Sequence, residues 1–346
     1  MSLIEETVKI IRPLDEAAMA GARQRLDSLT KPPGSLGDLE AMAVRLAGIS
    51  GKPLPKVDRK VIYTLAADHG IAAEGVSAYP QEVTAQMVLN FLAGGAAINV
   101  LGRAAGSRIV VADVGVASEL PEHPYLVSCK VAKGTRNFLR EDAMTASQAR
   151  QAVEAGIALC TEVDLAATGE MGIANTTSAS AITALLTGHK PEEVTGCGTG
   201  ISEVGRQKKA DVIRRALEAR RVNPDDAWDV LAKVGGFEIG GLVGVILGSA
   251  ARHTAVLVDG FISGAAALLA VRLHPPVREY LFAAHQSAEP GHVMTLAALD
   301  LKPIFRLDMR LGEGTGAALA MPVMDAACRI LHEMATFGEA GVSGPS

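Results

Sequence analysis

Aromatic side chains are scarce in this chain of 346 residues: Phe, Trp and Tyr make up only 3% of it, with a single Trp. The 49% of hydrophobic residues are mainly Ala, Gly, Val and Leu, enough for a substantial core and suited to helices packed closely on strands. Cysteine is nearly absent, and Cys129, Cys160, Cys197 and Cys328 show no pairing at metal-ligand spacing. That pattern excludes a disulfide framework and places the chain in a reducing cytoplasm. Positive charge is not in excess either: 33 Lys and Arg face 38 Asp and Glu, a formal net charge of −5, which excludes the basic field that nucleic-acid binders use. Long apolar runs are missing. "LVGVILGSAARHTAVLV" and "FISGAAALLAV" are broken well short of the roughly 20 apolar residues of a membrane span. The opening "MSLIEETVKIIRPLDEAAMA" carries early acidic residues and no secretory h-region, so neither a membrane span nor a signal is expected.

What is present is a rhythm. Residues 14–29 read as an amphipathic helix, and "KPPGSLGDLEAMAVRLAGIS" supplies a break, a cap at Ser35 with Asp38 three residues on, and a second helix. Six apolar runs follow, each ending in a turn that bears Gly, Asp, His or Glu: "KVIYTLAADHGI" from 60, "SRIVVADVGV" from 107, "DLAATGEMGIANTT" from 164, "HTAVLVDGFISG" from 253, "EYLFAAHQSAEPGH" from 279 and "PIFRLDMRLGEGTG" from 303. Mostly helical segments separate them. The alternation predicts an α/β fold with a six-stranded, mostly parallel sheet in a Rossmann-like three-layer arrangement, and ligands outside the carboxyl ends of its strands. The first two helices and a last one from about 317 to 335 have no strands of their own. They are expected to form a small helical domain (1–50 with about 318–346) beside a large α/β domain (51–317), with the tail "HEMATFGEAGVSGPS" frayed.

Residues 312–317, "GEGTGA", satisfy the loose dinucleotide pattern through Gly312, Gly314 and Ala317. A carboxylate inside such a turn would repel a pyrophosphate, and too little chain follows to complete the βαβ unit. The alternative is a tight turn that aims Glu313 into a cleft as a general base, its proton affinity raised by apolar neighbours such as Leu311, with Thr315 capping the next helix. A glutamate that merely satisfies N–H groups at a helix start remains the plain reading. A phosphate site is better placed at "TGEMGIANTTSASAI", 168–182, where free N–H groups, hydroxyls and a helix dipole coincide, although a merely well-capped helix fits the same pattern. Glu170 in that loop and Glu313 in the other would make a negative pocket for a substrate of cationic character. The basic helix "GRQKKADVIRRALEARR" from 205 could turn one lysine inward to a phosphate. Asp68, His69, Asp113, Asp259, His285, Glu289 and His292 all fall near strand ends and leave a metal-dependent hydrolase of a small phosphorylated substrate open.

"KPPGSLGDLE", "AADHGI", "EGVSAYPQEVTAQMVLNFLAGGAAINVL", "GEMGIANTTSASAI", "GCGTGI", "VGGFEIGGLVGVILG" and "RLGEGTGAALAMP" stand in order along nearly the whole chain. Together they resemble the nicotinate-nucleotide:dimethylbenzimidazole phosphoribosyltransferases of cobalamin lower-ligand assembly. The resemblance implies transfer of the 5-phosphoribosyl group from nicotinate mononucleotide to 5,6-dimethylbenzimidazole, giving α-ribazole 5′-phosphate and nicotinate with inversion at the anomeric carbon. It implies no metal and no cofactor, and a homodimer whose partner contributes to the site. It makes Glu313 the catalytic base and sets Glu170 near the ribose or reacting centre. Gly172, Ala174, Asn175, Thr176, Thr177, Lys209 and Ser287 would hold the phosphate and ribose, and Ser77, Gln86 and Leu311 the aromatic base. Ala174 departs from the glycine of many relatives, which a negative φ would make tolerable. Besides the hydrolase, a base- or nucleotide-binding module without chemistry is the alternative that the residues leave.

Overall fold

The structure, a computed structural model, describes residues 1–343. Seven strands form one sheet: β1 (Lys60–Ala67), β2 (Arg108–Gly115), β3 (Leu126–Ser128), β4 (Leu165–Met171), β5 (Ala255–Val258), β6 (Leu281–His285) and β7 (Pro303–Phe305). Their order is β3-β2-β1-β4-β5-β6-β7, and every neighbouring pair is parallel. The six expected runs are β1, β2, β4, β5, β6 and β7. The seventh strand, β3, is an edge segment of three residues, too short to show any periodicity in sequence. Chain order reverses between β1 and β4, so the loops leaving these two strands diverge and open a crevice at their carboxyl ends.

The lack of aromatics has a direct counterpart in the packing. Helix Phe237–Ala250, "FEIGGLVGVILGSA", is buried over its whole length and lies on the sheet and on helix Ala146–Leu159. A Cβ on Gly156 would come within 2.7 Å of the Gly241 carbonyl carbon, and one on Gly244 within 2.8 Å of the Ile157 nitrogen. The two helices therefore touch backbone to backbone, a distance only glycine permits.

Helices Glu16–Ser28, Asp38–Ser50 and Thr315–Glu333 share a separate apolar cluster of Ala18, Ala22, Leu26, Leu29, Ala43, Val44, Ala47, Ala327 and Leu331. Ile4 and Ile11 belong instead to the main core, so the first short helix, Leu3–Lys9, packs with the sheet unit. Ser35 does not cap the second helix. The N-cap is Gly37 at φ 56°, because Glu40 reaches back to take the Leu36 N–H at 2.9 Å and pairs with the buried Lys31 at 2.9 Å. The tail is also not frayed as far as it is described. Arg25 donates to the carbonyls of Leu331 and Met334, Thr30 N–H to Ala335, and Thr336 caps helix Phe337–Ala340. Residues 344–346 of the expected frayed end lie outside the described residues.

The most apolar long helical stretch, Val83–Ala104, is two helices, Val83–Ala93 and Ala97–Ala104, parted at Gly94 in the left-handed region (φ 79°). At 1.5 Å per residue, 11 and 8 residues reach roughly 16 and 12 Å, well below the roughly 30 Å of a bilayer core.

Candidate active site

The last strand end approaches the site through a turn of three consecutive residues with positive φ: Gly312 (86°), Glu313 (63°) and Gly314 (92°). For Glu313 that conformation costs roughly 1–2 kcal/mol, so the surroundings must enforce it. They do so from three sides. Glu313 N–H donates to the Glu170 carbonyl at 3.2 Å, and Thr64 on β1 donates its hydroxyl to the Glu313 carbonyl at 3.0 Å. Asp259, just after β5, accepts N–H groups from Gly314 at 3.2 Å and Ala317 at 2.8 Å. Asp259 thus satisfies the start of helix Thr315–Glu333. Thr315 does not: it is the first residue inside the helix, and its hydroxyl donates to the Gly312 carbonyl at 2.7 Å.

Glu313 is 3% exposed and its Oε2 has no hydrogen-bond partner. Burial pushes its carboxyl up to about 7; the Ile98 N–H, at the start of helix Ala97–Ala104, opposes this and the Asp259 charge adds to it. Glu170, at the end of β4, is pushed to about 8 by burial, against a short hydrogen bond from Asn175 and with help from Glu238, Asp259 and Glu313. A Cβ on Gly312 would overlap the Glu170 carboxyl group. The two glutamates therefore share one wall, and each holds a proton far more tightly than a solvated carboxylate. Asp259 behaves alike, raised by burial to about 7 despite its backbone donors.

The second half of the cleft belongs to the turn after β4. Gly172 and Ile173 lead into Ala174, which caps helix Asn175–Thr187 from the left-handed region at φ 73°. The negative φ that would make alanine tolerable at 174 is not met; its methyl sits where glycine is favoured. Ile173 N–H donates to Thr84, Asn175 N–H to the Gly172 carbonyl and Thr177 N–H to the Ala174 carbonyl, so much of this turn's backbone is already bonded internally. Thr177 is fully buried with an unpartnered hydroxyl. Thr176 and Lys209 are the polar pair here: Lys209 Nζ donates to Thr176 Oγ1 at 2.7 Å. Lys209 is the one residue of the basic helix Glu203–Arg220 whose cationic end is driven inside, at 1% exposure. Burial lowers its proton affinity to about 8, opposed by the charge of Glu289.

Glu170, Thr176, Ser287, Glu289, His285 and Arg310 line one small cleft with Gly198, Gly260 and Gly312. Ser287 is buried and held by its N–H on His292 and its hydroxyl on the Glu289 N–H. Gly198 is gripped from two sides, its N–H by Glu289 at 2.8 Å and its carbonyl by Arg310 at 2.9 Å. Sequence reasoning assigned no role to Arg310, to the loop "GCGTGI" or to the capping function of Asp259. The three expected base-pocket residues are not joined to one another by hydrogen bonds. Ser77 lies 3.2 Å from the Thr199 hydroxyl, Gln86 is exposed on helix Val83–Ala93, and Leu311 is 57% exposed.

Three of the candidate metal ligands are engaged separately. His69 bonds Glu238 and Ser178, Asp113 pairs with Lys130, and Asp68 takes the Ala117 N–H. No group of three or more His, Cys, Asp or Glu side chains arranged to hold a metal ion occurs among the described residues.

Sheet order and cleft define a doubly wound parallel α/β protein with a small polar cleft at the carboxyl ends of its strands. The phosphoribosyltransferase family model matches residues 11–342, and the chain belongs to that family. Over 349 aligned positions it is 58% identical to the nicotinate-nucleotide–dimethylbenzimidazole phosphoribosyltransferase of Roseiflexus sp. (strain RS-1), covering 99% of each chain. Over 348 it is 57% identical to the protein of the same name from Chloroflexus aggregans, again covering 99% of each. The crystal structure of CobT from Thermus thermophilus superposes with a TM-score of 0.91 at 50% identity, covering 95% of this chain and all of that one.

Proposed function

We propose that this chain transfers the 5-phosphoribosyl group from nicotinate mononucleotide to 5,6-dimethylbenzimidazole, with inversion at the anomeric carbon, in the synthesis of the cobalamin lower ligand. The bond between C1′ and the pyridine nitrogen breaks, and nicotinate leaves with the electron pair as a neutral ring nitrogen that needs no acid. A benzimidazole nitrogen forms the new bond to C1′ on the opposite face, and the proton of the imidazole passes to Glu313. One base therefore suffices, and most of the remaining acceleration comes from alignment.

The observation that carries this reading is a buried carboxyl group, Glu313, with a free oxygen and a proton affinity near neutrality, next in sequence to Gly312, which abuts the Glu170 carboxyl group in the cleft that Thr176 also lines. Glu313 is the base. Glu170 faces the ribose or reacting centre, where two acidic side chains favour the charge that develops on the sugar. Gly172, Ala174, Asn175, Thr176, Thr177, Lys209 and Ser287 hold the phosphate and ribose; Ser77, Gln86 and Leu311 border the aromatic base. The protein works as a cytoplasmic homodimer; Tyr79, Leu89 and Leu307, close in sequence to the base-pocket residues, are large apolar side chains left exposed. A small helical domain (1–50 with about 318–346) stands beside a large one (51–317); the separate apolar cluster of helices Glu16–Ser28, Asp38–Ser50 and Thr315–Glu333 supports its central part, while the first helix, Leu3–Lys9, packs with the large domain.

Incubation with nicotinate mononucleotide and dimethylbenzimidazole tests the reading. Release of nicotinate that depends on the benzimidazole is the expected result. No release would overturn it in favour of a binding module without chemistry, and activity abolished by a chelator and restored by Mn²⁺ or Zn²⁺ in favour of the hydrolase.

A further inference from the structure

His69, Ser178 and Glu238 form a string of polar side chains with no exposed surface, apart from the groups that face the cleft. His69 stands just beyond β1; its Nε2 lies 2.7 Å from Glu238 Oε1 and its Nδ1 lies 3.1 Å from Ser178 Oγ. Glu238 is the sole charged residue of the otherwise apolar helix Phe237–Ala250. Burying a polar pair of this kind rarely improves stability over apolar packing, so its presence asks for another reason.

The string ties three elements together at one place. Ser178 belongs to the first turn of the helix that Ala174 caps, and its hydroxyl also approaches the Gly235 carbonyl at 3.4 Å. A Cβ on Gly172 would meet the Ala67 carbonyl oxygen first, at 2.5 Å, and then His69 Cδ2 and Glu238 Oε1, each at 3.4 Å, so the end of β1, the imidazole and the carboxylate together form the floor under the turn that begins at Gly172. That turn contains a strained non-glycine residue, Ala174 at φ 73°, and such a conformation persists only where neighbours over-determine it.

We propose that His69 and Glu238 are positioning residues: through Ser178 and Gly172 they hold the 172–177 turn in the shape that receives the phosphate of the donor nucleotide. This rests on the phosphate role given to that turn above. Since a carboxylate can only accept, Nε2–H of His69 donates to Glu238, and Nδ1 and the Gly235 carbonyl share the one proton of the Ser178 hydroxyl. The pair thereby fixes one imidazole orientation and, with it, the first turn of the helix. Neither residue touches substrate, and both act through the backbone they support.

The test uses the full-length protein with Ser178→Ala, which removes one hydroxyl from a helix, and with Glu238→Gln. Expected for both is a rise on the order of tenfold in the Kd and KM of nicotinate mononucleotide, with a parallel weakening of inhibition by inorganic phosphate. The KM of dimethylbenzimidazole should stay within about twofold, and kcat at saturating donor should fall less than the donor KM rises. His69→Gln, which keeps an atom facing Glu238, should recover part of the donor affinity that His69→Ala loses. Donor and phosphate affinities equal to wild type in folded Ser178→Ala and Glu238→Gln would overturn the proposal and leave the string a structural one. If the wild-type protein released nicotinate but inorganic phosphate did not compete with its donor, the phosphate reading of the turn would fail, and the inference with it.

Discussion

Gly169→Ala adds one methyl group at the place where strand β4 meets the turn that carries Glu313. The new Cβ would stand 2.7 Å from the Glu313 carbonyl carbon and 2.9 Å from the Gly314 nitrogen, closer than any real carbon atom sits to backbone. Restoring an ordinary 3.4 Å contact requires at least about 0.7 Å of movement at that carbon, and more at the Glu313 carbonyl oxygen, which stands nearer still. The strand is clamped in the sheet centre between β1 and β5, so the turn is what gives way. A base displaced by most of an ångström loses alignment with the proton it must take, which costs between about tenfold and a hundredfold in kcat. Overpacking of this kind also costs typically about 1–3 kcal/mol of stability. The assay is steady-state nicotinate release, with donor binding measured in parallel and folding checked by thermal unfolding. The expected result is a kcat loss in that range with donor Kd changed far less, since the added methyl presses on Glu313 and not on Thr176 or Lys209. A folded Gly169→Ala protein with wild-type kcat would refute the claim that this contact sets the position of the base.

Three further outcomes follow from the same geometry. As the proposed base, Glu313 must be deprotonated to act, and burial holds it near 7, so kcat/KM should fall about tenfold per pH unit below about 7, with Asp259→Asn moving that limb to lower pH; a profile flat from about pH 5 to 8 would contradict this. Because Glu170, Asp259 and Glu313 all bind protons more tightly folded than unfolded, thermal stability should decline as pH rises from about 4 toward 8, and Glu170→Gln should flatten the trend. Lys209→Met should raise the donor KM roughly 10- to 100-fold, read from initial rates, and a KM within about twofold of wild type would remove the lysine from the phosphate site.

Much of this arrangement is legible in the sequence, and the reasons are specific. A glutamate among three glycines is chemically odd for a phosphate loop, and that oddity alone singles out Glu313. The run of small and hydroxyl residues after Gly172 marks a helix start, and a basic helix suggests that one lysine could turn inward, while only the family resemblance singles out Lys209. The six longer strands announce themselves as Val-, Ile- and Leu-rich runs. What stays hidden depends on contacts far apart in the chain. Asp259, just after β5, caps a helix that begins only at Thr315, and no local pattern reports that, so proximity alone favours Thr315 for the role. Ser35 is preferred as a cap for the same reason, whereas Glu40 and Lys31 settle that turn through side chains. β3 has three residues and no period to read. The φ of Ala174 is enforced by tertiary packing against the preference of its own methyl group, which composition cannot foretell. A signal that sequence reasoning passed over is Glu238, an acid in a helix otherwise apolar from Phe237 to Ala250.

The central claim is that the 311–317 turn exists to present a base, and Glu313→Gln tests it most directly because it keeps the side chain's volume while removing its ability to take a proton. Measured on one preparation, donor affinity should remain within about threefold of wild type while turnover falls by at least about 100-fold, in keeping with the usual contribution of a general base. Turnover equal to wild type, with nicotinate mononucleotide still bound, would contradict the account.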